Sequence, residues 1–143
     1  QDASYLVMVP KVCPNVPYLK HQPIILYMYD TFEKPNKFSP DITIGIDDVS
    51  EQKRKMLSCH RSQVYEWLPW IGSFQDGQRD TDEKAIYDSL LDDDIKCAKE
   101  CRSQLIEKYG TQIGENIKYA EAFEISEYGG SLSKEEINRY FPF

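Results

Sequence analysis

Prolines at positions 10, 14, 17, 23, 35 and 40 decide what the first part of this chain can fold into. Each lacks a backbone N–H and holds φ near −65°, and each pushes the residue before it into extended backbone. Residues 10–23 and 31–40 therefore read as loops. Between them, "PIILYMYD" is a near-continuous apolar run of strand length, the pattern of a strand buried on both faces of an α/β sheet. Upstream, residues 2–9 read as the end of a helix, with Tyr5, Met8 and Val9 on one side and Pro10 as its stop.

Beyond Pro40 the periodicity changes. "DITIGID" alternates, with Ile42, Ile44 and Ile46 on one face, and predicts a half-buried strand. A long helix follows: Asp48 and Glu51 have the spacing of a capping box, and Met56, His60, Val64 and Trp67 recur on one face until Pro69 ends it. Residues 71–80 read as a loop and Thr81 as the next N-cap, with Asp82 and Glu83 placed well against the helix dipole. Ile86, Leu90, Cys97, Cys101 and Leu105 mark an apolar stripe, which Asp92, Asp93 and Asp94 are expected to interrupt. Gly110 suits a helix C-terminus, a short segment covers 111–118, and "KYAEAFEIS" reads as a third strand. After the turn "YGG", Ser133 and Glu136 form a second capping box for a short last helix.

Three strands and three or four helices make an α/β or α+β unit. Three strands are few for a self-standing α/β sheet. The apolar, helix-like "ASYLVMV" directly after Gln1 points the same way. The expectation is a single partial domain over 1–143, cut from a longer protein.

A net charge of −7 argues against nucleic-acid binding, which needs clustered Lys and Arg. No apolar run approaches the roughly 20 residues of a membrane span. The cysteines, Cys13, Cys59, Cys97 and Cys101, do not have the spacing of a disulfide-stapled mini-protein. Reduced, mostly buried thiols are the default. That favours a soluble cytoplasmic setting without deciding the compartment.

The stretch "SCHRSQVYEWLPW" carries the side chains best suited to chemistry. His60 and Gln63 are expected to face inward with Met56 and Trp67, and buried polar groups must find partners. They tie the helix to a neighbouring loop or brace a polar pocket. Cys97 and Cys101, four apart, with Cys59 or His60 would make a zinc site on paper, but cysteines on an apolar stripe are ordinarily core. Cys59 and His60 are adjacent and diverge by about 100° on a helix, and Ser62 has no evident base. Asp47 and Asp48 stand at a strand-to-helix junction, where ligands bind in α/β folds, although helix capping explains them more simply. The run Asp92–Asp94 reads as a solvated face.

Taken in order, "DASYLVMVPKVCPNVPYLKHQPIILYMYD", "PDITIGIDDV", "KMLSCHRSQVYEWLPW" and "KYAEAFEI" resemble the C-terminal half of the PIG-L/LmbE-like deacetylases, zinc-dependent enzymes that hydrolyse the N-acetyl amide of N-acetylglucosaminyl and related compounds. The strongest marks are "HRSQ" at 60–63 and "AEAF" at 120–123. The resemblance implies a Rossmann-like α/β fold. It also implies that zinc polarises the acetyl carbonyl and activates a water, with an aspartate as base. The family's "His-Pro-Asp-Asp" motif and its later histidine motif are not in this sequence, so no residue here is carried over as a zinc ligand or catalytic aspartate. By the resemblance, His60, Ser62, Gln63 and Glu121 support the pocket. Tyr29 and Asp30, at the end of the first strand, are substrate-side candidates, because strand C-termini border the site in open α/β sheets. The implied partner is a small N-acetylated sugar or related amide, a homo-oligomer remains open, and this segment alone is expected to be inactive. The rival reading is a non-catalytic α/β module that binds a protein through its aromatic, proline-rich surface.

Overall fold

A computed structural model describes residues 2–30, 37–76 and 82–143. It shows a mixed α/β chain: α1 (Asp2–Leu6), β1 (Leu26–Met28), β2 (Ile42–Gly45), α2 (Ser50–Ser58), a π-helical stretch (Ser62–Trp67), α3 (Leu68–Asp76), α4 (Glu83–Ser89), α5 (Asp92–Glu100), α6 (Arg102–Tyr109), α7 (Thr111–Gly114), β3 (Ala120–Ile125) and α8 (Lys134–Tyr140). The chain divides into two compact units, one comprising the chain up to Ile44 together with Ala122–Phe143, the other Gly45–Glu121.

The first unit holds a three-stranded sheet in the order β1-β3-β2. β1 pairs antiparallel with β3, Leu26 opposite Ile125 and Met28 opposite Phe123. β2 also runs antiparallel to β3, since Asp41 N donates to Phe123 O while Ile46 N donates to Tyr119 O. β2 departs from clean alternation: Ile42 and Thr43 are both buried, at 2% and 5% exposure, while Ile44 is half-buried. β1 differs from expectation. It spans only Leu26–Met28, and Met28 is 64% exposed. As an edge strand it has one neighbour, so its apolar run is half-buried and not sandwiched. Antiparallel pairing also differs from the parallel pairing of a doubly wound sheet. The start of the chain is stitched by Ser4, whose Oγ donates to Tyr128 O at 2.8 Å, and Gln22 Nε2 donates to the same carbonyl. Tyr5, expected on one side of a helix with Met8 and Val9, is 63% exposed. The final helix follows its sequence signal: Ser133 Oγ accepts from Glu136 N, and Ser133 N donates to the Glu136 carboxylate at 2.8 Å.

The second unit is mainly helical. Its buried side chains include Ile86, Cys97, Cys101 and Leu105 of the predicted stripe, but Leu90 is only half-buried and Leu91 is buried in its place. The stripe is broken twice, at Leu90–Leu91 and at Cys101. The first break precedes Asp92, because three aspartates favour the first turn of a helix over its middle. α6 ends on Gly110 at φ +80 and ψ 160, backbone that only glycine adopts readily. α7 then folds back so closely that a Cβ on Gly114 would lie 2.6 Å from Ile106 Cα.

The long helix expected from Asp48 to Pro69 is corrected in several places. Asp48 does not cap it: the N-cap is Val49, without a side-chain bond, and the Asp47 carboxylate instead accepts from Lys118 N and Tyr119 N at the entry to β3. α2 closes at Ser58 with short-range bonds from Cys59 N to Met56 O and from His60 N to Leu57 O. Helical backbone resumes in π form, where Leu68 N donates to Gln63 O, five residues back. Pro69 does not terminate this run. It occupies the first turn of α3, and the wider π turn before it relieves the clash a proline ring makes with the carbonyl four residues back. Helix therefore continues to Asp76 through residues expected to be loop. Thr81 lies outside the described residues. Asp82 is the N-cap of α4, accepting from Lys84 N and Ala85 N.

Candidate functional site

The inward face predicted for His60, Gln63, Met56 and Trp67 does not exist as such. Met56 is 62% and Trp67 47% exposed, His60 and Gln63 are also exposed, and Val64 alone of that stretch is buried. The break at Cys59–His60 is the physical reason. A one-face pattern counted across it mixes two helical segments with different phases. His60 stands at the bend, and Cys59 beside it donates its thiol to Lys55 O at 3.3 Å.

Two of the predicted residues do come together. Ser62 and Gln63 line an open depression of about 520 Å³ with Glu66, Trp67 and Trp70. Gln63, Glu66, Trp67 and Trp70 recur at i, i+3, i+4 and i+7, so this arrangement was readable from spacing as a polar–aromatic stripe. Arg61, the nearest base in sequence, is engaged elsewhere: its guanidinium is 2.7 Å from Glu83 and lies 5.0 Å from the Tyr65 ring centroid.

Glu121 lies elsewhere in the same unit. It accepts from Lys53 Nζ at 2.6 Å, and the same ammonium reaches Asp94 at 2.7 Å. α2 supplies the lysine, α5 one carboxylate and β3 the other. Asp94 is thus buried and paired, not part of a solvated face, while Asp92 and Asp93 remain exposed. Burial pulls the Lys53 pKa down, but hydrogen bonds and charge from Asp94 and Glu121 outweigh it and raise it above 10.5. For Asp94 burial dominates: its pKa is raised above 3.8, and Lys53 offsets this only in part. The two directions are compatible because one cation is shared between two carboxylates.

Tyr29 and Asp30 belong to the first unit. They follow β1, Tyr29 N donating to Ala122 O and the Tyr29 ring meeting Phe38 edge-on at 5.6 Å. In an antiparallel sheet strand ends alternate between edges, so the rule that placed these two beside a substrate does not carry over to them.

Cys97 and Cys101 are buried free thiols, and burial raises the pKa of both. Among the described residues no group of three or more His, Cys, Asp or Glu side chains is placed to hold a metal ion. Zinc therefore does not fit the described residues. Also among the described residues, no helix is long and apolar enough to cross a membrane. Set against known protein families, characterised proteins and solved structures, the chain matches none of them.

Proposed function

We propose that this chain is the C-terminal part of a PIG-L/LmbE-like, zinc-dependent N-deacetylase with a Rossmann-like fold, and that it walls the substrate pocket without supplying its chemistry. The reading is carried by one observation: Ser62 and Gln63 of "HRSQ" line a depression beside two indoles. A concave surface with aromatic faces and a few convergent polar groups suits a sugar ring. The antiparallel sheet is compatible with it, since doubly wound folds commonly carry antiparallel strands at an edge. Zinc, its ligands and the catalytic base would come from residues outside this sequence, and the substrate would be an N-acetylated sugar or related amide.

Acetate release from an N-acetylglucosaminyl substrate tests this, with zinc supplied to the 143-residue chain and, separately, to a longer protein that includes a "His-Pro-Asp-Asp" motif. Release by the longer protein only is expected. Hydrolysis by the 143-residue chain would remove the supporting role, and inertness of the longer protein would remove the deacetylase. The second reading, a non-catalytic module binding a protein partner, is favoured by the exposure of Trp67 at 47% and Trp70 at 50%. A parent sequence without the histidine motifs would make it the better one.

A further inference from the structure

Glu66 is not needed to brace a pocket, yet it shares the depression with both indoles. Among the described residues no cation pairs with it, and Arg61 is held by Glu83 and Tyr65. An uncompensated carboxylate next to indole faces attracts an ammonium ion, by charge and through the ring quadrupole. It repels phosphorylated or carboxylated ligands. The Gln63 amide and the Ser62 hydroxyl can take ring hydroxyls, and an indole can cover the apolar face of a pyranose.

We propose that this depression binds a protonated amino sugar and prefers it to the N-acetylated form of the same sugar. The proposal rests on the deacetylase reading and deepens it: the amine is the product of that reaction, so this wall holds product more tightly than substrate. The acetamide keeps the stacking and the hydroxyl contacts but has no charge for Glu66.

Trp67 and Trp70 are the only tryptophans in the sequence, so tryptophan fluorescence, excited beyond the absorption of the ten tyrosines, reports on this depression. The experiment titrates the chain with glucosamine and with N-acetylglucosamine at mildly acidic pH, where the amine is protonated. Saturable changes are expected at millimolar concentration, because an open depression buries little of a single ring. The glucosamine midpoint should be lower by about fivefold, the worth of an exposed ion pair plus a cation–π contact. Glu66→Gln should raise that midpoint by a similar factor and leave the N-acetylglucosamine midpoint unchanged. Equal midpoints, an unaffected Glu66→Gln variant, or no change with either sugar would overturn the proposal. The two ideas fail separately. Acetate release by the longer protein with no amine preference in this chain would sink only the inference, whereas amine preference without acetate release would sink only the deacetylase.

Discussion

Lys53 joins side chains 41 and 68 residues away from it in sequence, and so ties α2, α5 and β3 together. Lys53→Met leaves Asp94 buried beside Glu121 without a counter-ion. Side-chain exposures of 28% for Lys53 and 12% for Asp94 allow some screening by water. The loss should therefore fall below that of a fully buried pair, about 2 kcal/mol by urea unfolding at neutral pH. The pH dependence has a definite sign. The Lys53 pKa is raised above 10.5, so its contribution is complete below pH 10.5 and falls away as pH rises through the folded-state value. The gap between wild type and Lys53→Met should narrow above that pH, and a constant gap would show that packing, not charge, is what the lysine contributes. At the other end of the chain, Ser133→Ala should cost about 1 kcal/mol, typical of a lost N-cap. Hydrogen bonds from the Ser133 backbone and side chain hold the Glu136 pKa below 4.5, so that carboxylate contributes above pH 4.5 and stops contributing as pH falls through its folded value. Because the Ser133 backbone N–H remains in Ser133→Ala, helical circular dichroism of both proteins should fall on acidification.

The element most sensitive to a single atom is the α6–α7 corner. Gly114→Ala would place a methyl 2.6 Å from Ile106 Cα, which backbone must move to accept. A loss of about 2 kcal/mol in thermal unfolding is expected, in the range of overpacked cores. Arg102 stitches the same corner by donating to Gly114 O and Ile117 O, and displacement there should also raise amide exchange at Gly114 and Glu115, whose N–H groups donate to Gly110 O and Thr111 O. Helix ends were legible wherever a local rule applied: Ser133 with Glu136, Gly110 at positive φ, the acidic first turn of α5. They were misread where two local rules competed. Asp48 looked like an N-cap, but the neighbouring Asp47 carboxylate is committed to Lys118 N and Tyr119 N, and α2 starts after Val49 without a side-chain cap. Pro69 looked like a stop, but a proline in the first turn of α3 donates no bond the helix needs, and the π turn before it removes the clash.

At the scale of the whole chain, the buried cysteines bear on metal binding. After exposure to zinc and desalting, the 143-residue chain is expected to retain no stoichiometric metal. One zinc per chain, lost on replacing Cys97 and Cys101 by alanine, would instead establish the cysteine site that spacing allowed on paper. The local features of this protein were set by sequence alone: prolines that exclude regular hydrogen bonding, the capping box of Ser133 and Glu136, and the stripe from Ile86 to Leu105. Such signals depend on residues within a turn or two of each other. Tertiary structure decided the rest. It put β1 at an edge, brought Lys53 to Asp94 and Glu121, and left Met56, Trp67 and Trp70 exposed. The physical reason is that periodicity shows which side chains share a face, but burial requires a second surface, and which surface arrives is settled by contacts between segments far apart in the chain.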